Sequence, residues 1–511
     1  MEKIPIRFEV QWKSGQRADN IGSVRKPKNY PCFVLNYNYD WNDYGYSNWY
    51  ALFYFHSEQD YRLVGELKLM TREDVDAIQY IKDGFSYLTD NFCSIGLDIS
   101  YYANLHEMFG TDGAKNVLTA LRDSAVNVEI HEQFQNNGEY NTSLMRDLTY
   151  NKIRKEASSV INGVSLENLF SFTYHFTTEY DDSINVVWNV VFKYKAKPWE
   201  RYVGVIGENG LGKTQLLRSF VKDLYANGNK FQIRPSFSNV IAIHSTPFDA
   251  YDEVQSTDNT MPYHSFSIEQ DRNNVMPMMM QAIIKTLHRG LINKESIVEV
   301  FKKELNMIIG SEWADRIIYK VMDENEEYEI WEYSEDQLSE CLRVLSSGQL
   351  HLFMLLSHVF ANANLNTLFI LDEPEVHLHP KAIMDFLGIF GKILSVFDSY
   401  AIIATHSPLV IREMRGQNVF LMQRMNDGSF SMSTLPFETF GENIASLYQS
   451  IFNYDEKTSL FSKAVRQMVN EGNSFDDINR IMTDKNGLSF NASMIINNEI
   501  MRKNRNEESS L

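Results

Sequence analysis

The chain has 511 residues, which exceeds the size at which one hydrophobic core keeps growing, so two or three domains are expected. Its apolar fraction of 44% and aromatic fraction of 13% are typical of a folded chain rather than a disordered one. The formal net charge of −19 excludes a global attraction to nucleic acid or to an anionic membrane, so any DNA contact must come from a local basic patch or a partner.

Cysteine usage and hydropathy bear on the cellular compartment. Cys32, Cys93 and Cys341 are widely spaced and fit neither a disulfide framework nor a zinc pattern. The first residues lack the apolar core of a signal peptide, and no run approaches the roughly 18 apolar residues of a membrane helix. We therefore expect a cytoplasmic protein with no membrane contact of its own.

The N-terminal part of the sequence alternates apolar and polar residues. This period of two recurs in residues 6–12, 32–37, 49–55 and 63–69 and predicts a small antiparallel sheet. A helix capped at Thr71 is predicted through about Lys82, and a second one from about Ala114 to Ser124. Together these elements predict an N-terminal α+β domain over residues 1–165.

A glycine-rich stretch, residues 207–214, lies between an apolar run at 202–206 and a helical pattern. It fits G-x-x-x-x-G-K-[ST], in which glycines let backbone N–H groups curl around phosphate oxygens and the following helix directs its positive end at the same anion. Lys213 would reach the β- and γ-phosphates, and the Thr214 hydroxyl would bind Mg²⁺. The predicted nucleotide-binding residues here are Gly207, Glu208, Asn209, Gly210, Leu211, Gly212, Lys213, Thr214 and Gln215.

Further strands and an insert surround this loop. Residues 169–176 and 186–192 are predicted strands that feed the loop's own strand as a sheet edge, and 240–249 form a strand ending in a polar turn. A helical insert is predicted at about 270–340. Its stretch from 321 to 340 carries nine acidic residues and no Lys or Arg, which is typical of a solvated face or of a dock for a basic partner.

Three later stretches carry candidate chemistry. An apolar strand at 368–371 ends in Asp372, suited to hold magnesium, and Glu373, suited to polarise an attacking water; two acids at a strand end also occur in plain turns. A helix start offers free N–H groups to an anion, although such a stretch alone is typical of a capped helix. A buried strand at 401–405 delivers His406 to its end. The residues of the predicted helix start are Ser346, Ser347, Gly348 and Gln349.

In this order, the four stretches resemble the head of an ABC-type ATPase: Walker A, signature, Walker B and switch histidine. The resemblance implies an α/β fold with a mixed sheet flanked by helices over residues 166–455, followed by a helical tail at 456–511. It also implies an ATP- and Mg²⁺-dependent ATPase in which two heads close face to face, so that Ser347 and Gly348 of one subunit contact the γ-phosphate bound by the other. Lys213, Glu373 as catalytic base and His406 as γ-phosphate sensor would then carry catalysis.

The segment at 372–380 looks like the RecF, SMC and OLD branch of that family rather than the transporter branch. The Q-loop glutamine expected after the second strand is not evident, since Ser245 or Thr246 occupies that region, which leaves the second magnesium ligand open. His377 and His379 invite a zinc interpretation but lack a third ligand, so we assign them to the dimer-facing D-loop. The residues after His406 contain no carboxylate cluster of a nuclease.

The whole arrangement resembles the ATPase subunit of Septu or retron-associated anti-phage systems. That resemblance implies an oligomeric ATPase that controls a separate effector, such as a nuclease, or a reverse transcriptase with its non-coding RNA or DNA. Two alternatives stay open. A RecF-like repair ATPase would bind DNA in a strongly salt-dependent manner without a partner. A transporter's nucleotide-binding subunit would co-purify with a membrane protein.

Overall fold

The computed structural model describes most of the chain and divides it into two compact units, Met1–Phe440 and Gly441–Leu511. The described residues are 6–12, 18–20, 24–38, 46–73, 76–145, 150–177, 185–194, 196–208, 210–226, 229–245, 251, 261–268, 272–292, 295–322, 329–376, 378–425, 430–451, 459–483 and 487–508. The domain boundaries predicted at 165 and 455 stay predictions.

The first unit begins with a five-stranded sheet whose strands lie in chain order. They are β1 (Phe8–Trp12), β2 (Cys32–Tyr37), β3 (Trp49–Phe55), β4 (Tyr61–Thr71) and β5 (Phe92–Gly96). β1 pairs with β2 in parallel and the remaining pairs are antiparallel. The sheet is therefore mixed, and the prediction of a purely antiparallel sheet is wrong. The long connection between β1 and β2 permits this, because parallel neighbours need a crossover rather than a tight turn.

Four helices follow: α1 (Ile99–Ala120), α2 (Val128–Phe134), α3 (Tyr150–Ile161) and α4 (Leu166–Phe170). The predicted helix after Thr71 is wrong: β4 runs through Thr71, and the described residues between 72 and 82 contain only a 3₁₀ turn at Ala77–Gln79. The second predicted helix is the latter part of α1. This helix begins after Asp98, whose side chain accepts from the Ser100 N–H, and is kinked at Gly110, where φ is 66°.

The remaining strands and helices of this unit build the head. The strands are β6 (Phe172–Thr177), β7 (Asn185–Val190), β8 (Tyr202–Ile206), β9 (Phe231–Ile233), β10 (Val240–His244), β11 (Tyr263–Ser267), β12 (Leu291–Ile292), β13 (Glu295–Ser296), β14 (Ile318–Met322), β15 (Glu329–Tyr333), β16 (Leu368–Asp372), β17 (Tyr400–Ala404), β18 (Val419–Arg424) and β19 (Phe430–Thr434). The helices are α5 (Lys213–Tyr225), α6 (Arg272–Leu287), α7 (Ile297–Ile309), α8 (Ser311–Ile317), α9 (Glu335–Val344), α10 (Ser347–Asn362), α11 (Pro380–Val396) and α12 (Pro408–Ile411).

The head is organised on a seven-stranded sheet in the order β11-β10-β16-β17-β8-β18-β19. All its pairs are parallel except β18 with β19. β8, β10, β16 and β17 are buried along their whole length, as expected for central parallel strands covered on both faces. The predicted α/β class with a mixed sheet is confirmed. β6 and β7 instead join β9 in a separate three-stranded sheet. The prediction that they form an edge of the sheet that contains β8 is therefore wrong.

The predicted helical insert contains α6 to α9, but it also contains the antiparallel hairpin of β14 and β15. In the described part of the acidic stretch, the carboxylates stand on the exposed side of β15 and α9. Positions 323–328 lie outside the described residues. The described acidic side chains therefore form a solvated face, and they are Glu329, Glu332, Glu335, Asp336 and Glu340.

The second unit consists of α13 (Ile444–Ile451), α14 (Leu460–Asn470), α15 (Phe475–Met482) and α16 (Phe490–Glu508). Val465, Val469, Ile478 and Ile496 form its small buried core. Across the described parts of both units, every helix is too short or too polar to cross a lipid bilayer. Cys32, Cys93 and Cys341 are buried free thiols.

Candidate active site

The phosphate loop leaves β8 and enters α5 as predicted. Gly207, Gly210 and Gly212 have φ values of 158°, 82° and 89°, and Asn209 lies outside the described residues. A Cβ on Gly207 would lie 2.7 Å from the carbonyl oxygen of Met422 on β18, so the loop passes close to a neighbouring backbone that only glycine allows. Gly212 caps α5 without a side-chain hydrogen bond, which leaves the first N–H groups of the helix to a ligand.

Lys213 is the first residue of α5, and its side chain turns back over the loop. It is only 5% exposed, and its Nζ donates to the carbonyl oxygens of Gly207 at 3.1 Å and Glu208 at 3.3 Å. The same Nζ lies 3.9 Å from Oε1 of Glu373. The ammonium group is therefore fixed at the centre of the loop and faces the end of β16.

β16 delivers Asp372 and Glu373 to the same edge of the sheet. Asp372 is 3% exposed and pairs in register with His244 on one side and Ala404 on the other. Glu373 leaves the strand in the left-handed region with φ at 49°, and its N–H donates to the Ala404 carbonyl at 2.9 Å. For a residue other than glycine this conformation costs about 1–2 kcal/mol, so the backbone turn at the predicted catalytic base is strained.

His406 completes the group at the end of β17. Its Nδ1 lies 3.4 Å from Oε1 of Glu373, the same oxygen that faces Lys213. The imidazole is 44% exposed and the Glu373 side chain 28% exposed, so water reaches both. β8, β16 and β17 are adjacent parallel strands, and their carboxyl ends bring Lys213, Glu373 and His406 together across a large separation in sequence.

Glu375 is a site residue that the sequence did not single out. Its side chain is 6% exposed, and its Oε1 accepts from the hydroxyl of Thr405 and from the N–H of His406 at 3.2 Å. Burial raises the pKa of this carboxyl above its ordinary value. No motif assigned it a role, because its contacts form only when the two strand ends meet.

Tyr251 is a second residue that the sequence did not indicate. It is 1% exposed, and its Oη donates to Oδ2 of Asp372 at 3.0 Å. Its ring stacks on His244 at 5.1 Å, and its carbonyl accepts from the Tyr263 hydroxyl at 2.9 Å. Tyr251 follows β10, the region in which a Q-loop glutamine was expected. The strand ends at His244, Ser245 comes directly after it, and Thr246 lies outside the described residues.

The predicted signature residues stand at the start of α10. Ser346 and Gln349 form a capping box, in which Ser346 Oγ accepts from the Gln349 N–H and Gln349 Oε1 accepts from the Ser346 N–H. Gln349 Nε2 also donates to the Ile308 carbonyl on α7 at 3.0 Å. Ser346 and Ser347 are exposed, and Gly348 is half-buried. In the described part of the chain, no hydrogen bond or ion pair links residues 346–349 to Lys213, Glu373 or His406.

The loop and its surroundings fit a nucleotide with magnesium. The Gln215 side-chain nitrogen is buried without a hydrogen-bond partner among the described residues, and its amide oxygen lies against Gly212, so it would gain an acceptor from a ligand in the loop. Thr214 is half-buried beside it. The Thr214 hydroxyl and the Asp372 carboxylate are the hard oxygen donors that Mg²⁺ prefers, with water and phosphate completing its shell.

The zinc interpretation of His377 and His379 is not tested by the structure, because only His379 lies in the described part of the segment. Among the described residues, no group of three or more His, Cys, Asp or Glu side chains is placed to hold a metal ion. His379 caps α11, with its Nδ1 accepting from the Lys381 N–H at 3.4 Å. His377 lies outside the described residues. The assignment of this segment to a D-loop stays a prediction.

Comparison with known proteins adds one family match and one relative. Residues 281–412 match the family described as "AAA domain, putative AbiEii toxin, Type IV TA system". This match covers about a quarter of the chain, from the insert through the signature, Walker B and switch histidine. The chain is also 24% identical over 476 residues to "Protein ea59" of Escherichia phage lambda, covering 86% of this chain and 89% of that protein.

Two solved structures illustrate the likeness to known folds. One is an ATP-binding cassette of an ABC transporter in its ADP conformation, 14% identical, covering 56% of this chain and 99% of that chain with a TM-score of 0.30. The other is described as RNase-L Inhibitor, 15% identical, covering 61% of this chain and 49% of that chain, also with a TM-score of 0.30. At such scores these likenesses carry no weight, whereas the sheet order, the assembled motifs and the family match together support an ABC-type ATPase.

Proposed function

We propose that the chain hydrolyses ATP at the site formed by the phosphate loop, Asp372, Glu373 and His406. The observation that carries this proposal is the position of Glu373 Oε1, which lies 3.9 Å from Lys213 Nζ and 3.4 Å from His406 Nδ1. A carboxylate between a phosphate-binding lysine and an imidazole, open to water on one side, is arranged to activate a water molecule.

Each side chain has a distinct part in the reaction. Lys213 and the N–H groups of the loop bind the β- and γ-phosphates. Glu373 accepts the proton of the attacking water. His406 hydrogen-bonds the γ-phosphate and keeps the Glu373 carboxylate oriented. Thr214 and Asp372 would hold Mg²⁺, which would neutralise part of the negative charge on the phosphates.

The signature residues would act on a second copy of the chain. Ser347 and Gly348 are at the start of a 16-residue helix, and among the described residues neither hydrogen-bonds the phosphate loop of its own chain. Their N–H groups and the helix dipole favour a negative group brought by another molecule. ATP would thus be sandwiched between two copies, and its hydrolysis would release them.

We further propose that this ATP-driven dimer controls a separate effector, a nuclease or a reverse transcriptase with its nucleic acid, in anti-phage defence. The matching family's description names a type IV toxin–antitoxin system, and the relative that spans most of the chain is encoded by a phage. Both support a role in conflict between phages and hosts. A RecF-like clamp is less favoured, because the net charge of −19 opposes direct DNA binding.

The test is an assay of phosphate release by the purified protein with ATP and Mg²⁺, together with light scattering for the oligomer. We expect hydrolysis by the parent chain, no ATP binding by Lys213→Ala, and an ATP-dependent dimer without turnover in Glu373→Gln. Absence of ATP hydrolysis by the parent chain, whether or not it binds ATP, would overturn the proposal.

The effector is tested by capture on tagged Glu373→Gln with ATP from the native host. A nuclease or reverse transcriptase recovered in stoichiometric amount would support effector control. Recovery of DNA alone, or of a membrane subunit, would contradict it and favour the repair or transporter function instead.

A further inference from the structure

The carboxyl of Glu375 joins the ends of two strands at the site. Its Oε1 accepts from Thr405 Oγ1 and from the His406 N–H at 3.2 Å, while Thr405 Oγ1 in turn accepts from the Ser407 N–H at 2.9 Å. The turn that carries Glu375 is closed by the Val376 N–H bonding the Glu373 carbonyl at 3.1 Å. One buried oxygen therefore fixes residues 405–407 relative to the turn that holds Glu373.

Burying a carboxyl group at this position costs folding free energy unless its oxygens accept hydrogen bonds. Glu375 Oε2 is buried and has no hydrogen-bond partner among the described residues. A carboxyl group removed from water with one oxygen unsatisfied costs more than an apolar side chain of similar size. The contacts of Oε1 are all on the segment that carries His406, so that segment is what the carboxyl organises.

The result of this arrangement is the orientation of the imidazole. His406 Nδ1 lies 3.4 Å from Glu373 Oε1 and 3.8 Å from Glu375 Oε1, so the ring stands between the two carboxyl groups. Burial is the largest cause of the raised pKa of Glu375 and the Thr405 hydrogen bond opposes it, so this carboxyl is less readily ionised than an exposed one.

We propose that Glu375 is a positioning residue for hydrolysis: by holding the Thr405 hydroxyl and the His406 N–H, it fixes the switch histidine against the catalytic Glu373. The inference rests on the proposed function and deepens it. Glu375 does not touch the nucleotide, so its loss acts on the rate of the chemical step and not on ATP binding.

The experiment compares Glu375→Ala with Glu375→Gln and Thr405→Val. The glutamine retains a carbonyl oxygen that accepts both hydrogen bonds, whereas alanine retains none. Thr405→Val removes the hydroxyl at nearly constant volume and tests the same link if Glu375→Ala folds poorly. The matched control is Asp123, a buried carboxyl of the N-terminal part that accepts a hydrogen bond from the Tyr102 hydroxyl and is not part of the ATP site. Asp123→Ala is expected to keep the parental rate of hydrolysis.

Three measurements are made on each variant: kcat, the Kd for ATP and hydrogen–deuterium exchange. At saturating ATP, kcat is expected to fall about tenfold to a hundredfold in Glu375→Ala, as for a displaced catalytic group, and to recover to within about threefold in Glu375→Gln. The Kd for ATP should stay within about twofold. Without nucleotide, hydrogen–deuterium exchange should rise at the His406 and Ser407 amides in Glu375→Ala and stay unchanged in the sheet strands.

The outcomes separate this inference from the proposed function. Parental kcat in both Glu375→Ala and Thr405→Val, or unchanged exchange at His406, would overturn the positioning role. A fall in ATP affinity equal to the fall in kcat would also overturn it, since that is the mark of a general structural loss. If the parent chain does not hydrolyse ATP, the proposed function fails, and the exchange measurement alone then decides whether Glu375 holds the loop.

Discussion

Substitution of Glu373 separates its chemistry from its backbone strain. Glu373→Gln keeps the shape of the side chain and removes the proton acceptor, so kcat should fall at least about a hundredfold, which is the lower range for loss of a general base. The lost contact with Lys213 should cost only about 0–1 kcal/mol of stability, because 3.9 Å is too long for a hydrogen bond and Lys213 Nζ keeps its two carbonyl acceptors. ATP binding should persist, since Lys213 and the loop are intact.

The strain is measured by comparing Glu373→Gly with Glu373→Ala, both of which lack the carboxylate. At φ 49° alanine carries a cost of about 1–2 kcal/mol that glycine does not, while glycine loses about 0.5–1 kcal/mol through its more flexible unfolded chain. The glycine variant should therefore be more stable than the alanine variant by up to about 1.5 kcal/mol. Both variants should be inactive.

The assay combines phosphate release with thermal unfolding in the absence of nucleotide. Glu340, exposed on α9, is the matched control, because alanine should there be more stable than glycine by about 1 kcal/mol, as in an ordinary helix. Parental turnover by Glu373→Gln would refute the catalytic-base assignment. A Glu373→Gly protein that unfolds at a lower temperature than Glu373→Ala would refute the strain argument.

Three other changes have expected outcomes. Gly207→Ala places a Cβ 2.7 Å from the Met422 carbonyl oxygen and should cost about 1–3 kcal/mol through displacement of β18, seen as a lower unfolding temperature together with lost ATP binding. Tyr251→Phe removes the hydroxyl donor to Asp372 and should raise the Mg²⁺ concentration for half-maximal hydrolysis about tenfold, with the unfolding temperature retained. Burial raises the pKa of Asp123 from 3.8 to about 7, so the folded chain keeps a proton that the unfolded chain releases, and stability should fall as pH rises from about 4 to 7. Asp123→Asn should flatten that part of the profile of unfolding temperature against pH, and an unchanged profile would contradict the assignment.

Three of the four motifs predicted the assembly of the site, because each of these three followed a buried strand, whereas the signature stretch follows α9. Parallel neighbours bring their carboxyl ends to one edge of the sheet, so Lys213, Glu373 and His406 meet once β8, β16 and β17 are adjacent. The contacts of Glu375 and Tyr251 were not predicted, because they depend on how loops pack against each other. No residue spacing in the local sequence indicates these contacts. The roles of the individual residues stay predictions until the variants are measured.

Local periodicity predicted strands better than it predicted their partners. β2 and β3 have the predicted bounds, since both are nearly continuous apolar runs. The parallel pairing of β1 with β2, however, depends on a crossover that local sequence pattern does not record. The cap-like Thr71 instead ends a strand, because pairing with Phe92 on β5 prevails over the local helix signal. The hairpin strand β15 has its two exposed acidic residues, Glu329 and Glu332, three positions apart, a spacing that also fits one face of a solvated helix.

The place of β8 in the sheet has a consequence for synthesis of the chain. Both of its neighbours, β17 and β18, are encoded about 200 residues after it. A nascent chain that has emerged only as far as α11 holds the whole glycine loop but neither strand that pairs with β8. Loop closure over such a distance is slow, and unpaired β edges are prone to aggregate. The glycine loop can therefore take its place in the sheet only after residues 400–424 have been made, about 200 residues after the loop itself.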